Sequence, residues 1–197
     1  LVHAIIGASN AALTFALGRS VFGRKVGAAG GIIVCFHGPM IFFDGEYLIP
    51  PLATFLDLVM LMLLLSAMRA GETAPDDEAR KNASRRAILF AALAGLALGL
   101  SAAARPNVLV FLPAAAWLVF RSRGGKNKTP REARDSDGEM DDGVKPACPV
   151  KERALRVAVM VFATALPIAP ITAHNYLASG EPVLVSSNGG ANFYIGN

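Results

Sequence analysis

The sequence predicts an all-α polytopic membrane protein with about six transmembrane helices, and three observations carry the prediction. Hydrophobic residues make up 53% of the 197 positions, and 19 glycines come on top of that, whereas apolar residues and glycine together reach roughly 45 to 50% in soluble domains. Charged residues are only 17%, where about 25% is usual. Those charges also gather in short stretches, leaving long windows without any, and such windows exclude an ordinary water-soluble globule.

Crossing a hydrocarbon core of about 30 Å takes about 20 apolar residues in a helix. Six windows approach that length: 2–18, 26–43, 47–68, 87–104, 107–120 and 155–173. The first, second and fourth carry no Asp, Glu, Lys or Arg, and the third contains only Asp57. The fifth is short, with 14 residues, and rises only about 21 Å as an α-helix. The sixth contains Pro167 and Pro170. These two, with Pro50, Pro51 and Pro113, should bend or break the spans that carry them. Gly27 and Gly31, and again Gly95 and Gly99, stand four apart among alanines, a spacing that lets neighbouring helices approach closely within one bundle.

Short cytoplasmic loops of membrane proteins collect Lys and Arg. The connections after the first, third and fifth windows hold 18 of the 19 basic residues. This alternation predicts that those three connections share the cytoplasmic face and that both chain ends lie outside. The third of them, residues 121–156, holds ten basic residues. Its stretch 124–150 has no hydrophobic face and reads as a disordered loop. The sequons at Asn82 and Asn127 fall on this inner side and read as chance. The net charge of +4 is spread over membrane-flanking loops, so no nucleic-acid partner is implied. Cys35 and Cys148 suggest no disulfide framework, and no signal peptide precedes the first apolar run. Leu1 in place of an initiator Met makes the chain read as a fragment.

The outer face is where ligand chemistry is expected, because it is almost free of positive charge. Arg105 is the exception, held in the hairpin Arg105-Pro106-Asn107 with no polar loop to lift it into water. An Arg at headgroup level calls for an anion, and its planar fork suits phosphate. Asp44 and Glu46 flank Gly45 in a short outer hairpin and suit a divalent ion, a sugar hydroxyl or a substrate amine. Glu46 abuts the next helix, and Asp57 lies about three turns beyond it, about 16 Å deeper; bundle hydrogen bonding is the expected role for Asp57. His3 and His37 have no Cys or carboxylate at ligand spacing, so no metal site is expected. No Gly-rich phosphate loop and no serine nucleophile elbow is present. The segment 176–197 leads away from the bundle on the outer side. With His174 and Asn175 before it, it combines turn-forming Asn188-Gly189-Gly190 with Asn192 and Tyr194, amides and an aromatic ring of the kind that bind sugars.

Four stretches, RSVFGRKVG at 19–27, FDGEYL at 43–48, AGLALGLSAAARPN at 94–107, and Asn175-Tyr176 followed by SNGGANFYIGN at 187–197, resemble a known family. It is the family 39 glycosyltransferases, the bacterial relatives of the dolichyl-phosphate-mannose protein mannosyltransferases, which also include the aminoarabinose transferase acting on lipid A. The resemblance covers most of the chain outside the inner loop. It implies part of a C-type glycosyltransferase (GT-C) fold in a bacterial plasma (inner) membrane, with the active face extracytoplasmic. The implied reaction moves a sugar from a polyprenyl-phosphate donor to a lipid, glycan or protein acceptor, usually with inversion. The implied partners are that donor, its acceptor and membrane lipids. No organic cofactor is implied, and a divalent cation is the one candidate. Arg105 matches a basic position near the lipid phosphate and Glu46 an acidic position facing the same cavity. His174 stands where the family often has Arg. The family's catalytic acid lies in a first large outer loop that this sequence does not contain, so the catalytic residue is unknown. From a different class, half of a secondary transporter or flippase would also use proline-broken spans and Asp57. A structural membrane protein would leave Arg105 and Glu46 without a shared cavity.

The predicted topology is checked by cysteine labelling in intact cells. A full-length chain in which Cys35 and Cys148 are replaced by Ser and Ser136 by Cys should resist an impermeant thiol reagent applied outside. Labelling from outside would overturn the orientation.

Overall fold

The computed structural model describes residues 2–46, 49–70, 77–122, 149–180 and 183–185. All regular structure among them is helical: α1 (Val2–Phe22), α2 (Arg24–Cys35), α3 (Gly38–Gly45), α4 (Ile49–Arg69), α5 (Asp77–Ala104), a 3-10 helix (Pro106–Phe111), α6 (Leu112–Arg121) and α7 (Val150–Ser179). Four of these, α1, α4, α5 and α7, are long and apolar enough to cross a membrane, and α2 with α3 makes a fifth if the bent pair counts as one span.

Two of the six predicted spans therefore differ from expectation. The second is broken, with α3 leaving α2 at 49°. The break falls at Phe36 and His37, just before Gly38 and Pro39. Pro39 has no N–H to donate to the Cys35 carbonyl, and its ring would clash with that carbonyl in a continuous helix. The fifth is not one α-helix. Pro113 cannot donate to the Leu109 carbonyl, which instead receives the N–H of Leu112, and the chain runs as a 3-10 turn before the ten-residue α6. The other four prolines expected to bend or break spans interrupt none. Pro50 and Pro51 sit in the first turn of α4, where no donor is needed, and α7 continues through Pro167 and Pro170.

The helices also overrun the predicted connections. Arg80, Lys81, Arg85 and Arg86 lie on α5 rather than in a loop, Asp44 and Gly45 are the last residues of α3, and Tyr176 belongs to α7. Between α1 and α2 only Gly23 remains non-helical, with φ 94°, a conformation that favours glycine. The predicted disordered stretch 124–150 lies outside the described residues except at Pro149 and Val150, where α7 begins.

Packing fixes the helix directions. Asn10 Nδ2 donates to the Pro51 carbonyl at 3.1 Å and Arg69 Nη2 to the Ser20 carbonyl at 2.6 Å, so α1 and α4 run parallel. Ser101 near the end of α5 meets Asp57 in the first half of α4, and Arg86 toward the start of α5 shares a hollow with Arg69 at the end of α4, so α5 runs antiparallel to α4. Gly95 against the Met160 carbonyl and Gly99 against Thr164 set α7 parallel to α5. These directions agree with alternating crossings. They also bring basic residues of several connections to one end of the bundle, where Arg69 and Arg86 line one hollow and Arg80 and Arg85 line another beside Glu152. Arg156, counted above with the inner connection, is 2% exposed inside α7. Its guanidinium pairs with Glu152 at 2.6 Å, since a buried charge must be matched.

Both glycine pairs pack within the chain. A Cβ on Gly27 or Gly31 would meet the α1 backbone near Phe15, and one on Gly95 would overlap the Met160 carbonyl. The core between α4, α5, α6 and α7 is correspondingly small-walled, with Ala91, Ala94, Leu98, Ala115, Val119 and Met160 buried, while Phe36, Val110, Phe162 and Leu166 face outward. Large apolar groups outside and alanines inside suit a chain whose surrounding solvent is hydrocarbon, where close backbone approach drives association.

Gly95→Ala should lower stability by about 1 to 3 kcal/mol through overpacking, read as a fall in the unfolding midpoint in detergent. Gly30→Ala is the control, because its Cβ would meet only Thr14 Cγ2 at 3.4 Å. Equal midpoints for the two variants would overturn the close α5–α7 contact.

Candidate functional site

At the end of the bundle away from the basic residues, three groups of side chains come from different elements. The first is built around Arg105. It precedes Pro106, so its backbone is extended, with φ −145° and ψ 100°. Its N–H donates to the Ser101 carbonyl at 2.7 Å and its own carbonyl accepts the N–H of Val108 at 3.2 Å. The joint between α5 and the 3-10 helix is thereby fixed, while the side chain stays exposed. No carboxylate pairs with its guanidinium among the described residues.

The 3-10 helix that starts beside Arg105 leads into an apolar groove of about 530 Å³ between it, α6 and α7, walled by Leu109, Leu112, Val161, Ile168, Ala169 and Tyr176. From Val161 to Tyr176 the α7 wall rises about 22 Å, from the bundle's middle to its end. Thr164 and Thr172 also face the groove, but both hydroxyls are engaged. Thr164 Oγ1 donates to the Met160 carbonyl at 2.9 Å. Thr172 Oγ1 lies 2.6 Å from the Leu184 carbonyl and 3.1 Å from that of Ile168; its single proton serves the shorter contact.

The second group fastens the chain beyond α7. Gly180 ends the helix with φ 73°, its N–H donating to the Tyr176 carbonyl at 2.9 Å. The chain then turns back, and Asn175 Nδ2 donates to the carbonyls of Val183 and Val185, both at 3.2 Å. Asn175 thus spends both amide hydrogens on its own chain and keeps Oδ1 for other contacts. Together with Thr172 it holds residues 183–185 against the groove's open end. His174 is exposed on α7. Asn188, Asn192 and Tyr194 lie outside the described residues.

The third group is acidic. Asp44 faces the first turns of α1, where its carboxylate touches the position a Cβ on Gly7 would take. Its Oδ1 is buried without a hydrogen-bond partner. Glu46 is exposed as the C-cap of α3. Among the described residues neither pairs with Arg105, and the cavity that Asp44 lines includes neither Arg105 nor Glu46. Asp57 accepts a 2.6 Å hydrogen bond from Ser101 Oγ, the bundle-bonding role expected for it; Ser101 is fully buried one turn before Arg105. Among the described residues no three His, Cys, Asp or Glu side chains gather around a position for one metal ion.

Three contributors escaped the sequence reading. Ser101 and Thr172 look like ordinary small polar residues in apolar helices, and only the partner helix or returning chain reveals their role. Gly7 lacked the four-residue pairing that marked the other glycines. No protein-family model, curated protein or solved structure matches the chain at a significant level. The resemblance to family 39 therefore rests on the sequence stretches quoted for it.

Replacing Ser101 by Ala should leave Asp57 without its donor inside the bundle. The expected loss is about 1 to 3 kcal/mol, measured by the unfolding midpoint, and Asp57→Asn in the same chain should recover part of it. Unchanged stability in Ser101→Ala would remove the clasp.

Proposed function

We propose that the chain is part of an integral membrane glycosyltransferase of the C-type fold that uses a polyprenyl-phosphate-linked sugar. The observation that carries this reading is Arg105: a cation without an ion-pair partner among the described residues, exposed at the joint that leads into an apolar groove about 22 Å long. A phosphorylated lipid chain has matching parts, an anionic head for the guanidinium and a long hydrocarbon for the groove. Resemblance of the stretch at 94–107 to family 39 agrees with it.

In this reading Arg105 lies beside the phosphate that departs when the sugar is transferred. Negative charge on that phosphate grows as the sugar–oxygen bond breaks, and a preorganised guanidinium favours the transition state over the bound donor. Thr172 and Asn175 hold residues 183–185 at the groove, and the Asn- and Tyr-containing sequence that follows supplies groups of the kind that bind a sugar. The acceptor's proton goes to a carboxylate outside this chain's assigned residues, so Arg105 acts as a phosphate-binding group and the general base stays unassigned. The active face is extracytoplasmic in a bacterial plasma membrane.

The broken α2–α3 span favours a second reading, half of a secondary transporter or flippase, in which discontinuous helices surround a mid-membrane site. The two readings part on turnover. In the full-length purified enzyme, Arg105→Ala should reduce sugar transfer from a polyprenyl-phosphate donor by about 10² to 10³, with Lys restoring only part because it lacks the planar fork. Membrane insertion should be unaffected. Near-normal transfer in the Ala variant would exclude Arg105 from the phosphate site, and lipid-linked sugar crossing vesicles without any transfer would favour the transporter.

A further inference from the structure

The bend between α2 and α3 lays α3 over the first turns of α1 and encloses a cavity of about 200 Å³ lined by Gly7, Ala11, Cys35, Met40, Ile41 and Asp44, among others. Asp44 enters it through a notch, because a Cβ at Gly7 would overlap the carboxylate. Its buried Oδ1 accepts no hydrogen bond, and no Lys or Arg lines the cavity. An unsatisfied buried acceptor costs about 1 to 3 kcal/mol, more when charged. The fold therefore keeps a carboxylate oxygen where a donor is wanted, and none of the described residues supplies one.

The walls restrict that donor. A divalent cation needs several oxygen ligands, and the cavity has one carboxylate. A sugar would set most of its hydroxyls against alanine, methionine and isoleucine without partners, which is unfavourable. One charged donor on a small apolar body satisfies both the oxygen and the walls. We propose that this cavity binds an alkylammonium group, with Asp44 Oδ1 accepting an N–H and the carbon body resting on Ala11, Met40 and Ile41. Cys35, an exposed free thiol, also lines the cavity. The ammonium comes either from a phosphatidylethanolamine headgroup or from a soluble amine. The inference does not depend on the transferase reading, since it rests on neither Arg105 nor sugar transfer.

Cys35 reports on the cavity directly. The full chain with Cys148→Ser is placed in phosphatidylglycerol nanodiscs at about pH 8, where thiols react readily. Its modification rate is compared for a trimethylammonium and a sulfonate methanethiosulfonate. The cationic-to-anionic rate ratio should fall about tenfold or more on Asp44→Asn, a substitution that keeps the shape of the side chain. Modification by a neutral maleimide should then be slowed by n-propylammonium, or by phosphatidylethanolamine in the disc, when Asp44 is present. Protection by the soluble amine assigns that source, and protection by the lipid alone assigns the headgroup. Protection should vanish in Asp44→Asn and also in Gly7→Ala, where the notch is filled. An unchanged rate ratio, no protection by either amine, or protection that survives Asp44→Asn overturns the proposal.

Discussion

Backbone-to-backbone approach of α5 and α7 is the contact on which the far end of the bundle depends. Gly95 lies on the Met160 carbonyl, and Gly99 admits both the Thr164 carbonyl and the Pro167 ring, whose Cδ comes within 3.0 Å of a Cβ built there. In hydrocarbon no water squeezes helices together, so the energy of association comes from such close packing. Because α5 and α7 run parallel at this distance, the end of α5 and the last turns of α7 reach the same level. Arg105 follows directly from the first, and Thr172 and Asn175 lie on the second. The apolar groove is the space left where the 3-10 helix and α6, too short to follow α7 along its whole length, cover only part of it.

A second constraint acts on α1, α2 and α3. Gly27 and Gly31 seat α2 against the α1 backbone, which fixes where α2 ends. Pro39 then forbids the ladder from continuing, and the 49° bend turns α3 back toward α1 instead of letting it run outward. Asp44, which a straight helix would carry to the surface, is folded onto Gly7. The same proline that costs the helix hydrogen bonds creates the cavity and the unsatisfied oxygen within it. Asn10, fully buried at 0% exposure, links this half to α4 through Pro51. Interhelical hydrogen bonds of this kind contribute about 0.6 to 1.7 kcal/mol in membranes.

How much of this was legible in the sequence follows from which signals are local. Apolar windows and the alternation of basic residues are local, and they gave the helical class and helix directions that agree with the packing. Four-residue glycine spacing is local too, and both pairs pack as expected within the chain. Helix ends were not legible, because polar turns such as Arg80 to Arg86 continue α5 without being apolar. Proline effects depended on position: Pro50 and Pro51 fall where no N–H is required, whereas Pro39, unremarked in the apolar reading, breaks its span. A cavity shared by Arg105 and Glu46, which the resemblance implies, would need α3 and the end of α5 side by side, and the sequence holds no local signal for that distance.

The polar groups at the far end sort by whether the fold has already used them. Asp57 is engaged by Ser101, the two amide hydrogens of Asn175 by the returning chain, and the Thr172 hydroxyl by Leu184. Each of these contacts joins two elements and is accounted for by the fold. Arg105 and Asp44 are different, since each is positioned by backbone or steric constraint while, among the described residues, the Arg105 guanidinium has no ion-pair partner and Asp44 Oδ1 accepts no hydrogen bond. Opposite charges that close the same bundle end would ordinarily pair, because a pair in a low-dielectric setting is far better than two isolated ions. Here α4 and α1 stand between α5 and the cavity that Asp44 lines, and separate them. The fold therefore holds one cationic and one anionic position apart, and each is complementary to an ion of opposite sign from outside the chain.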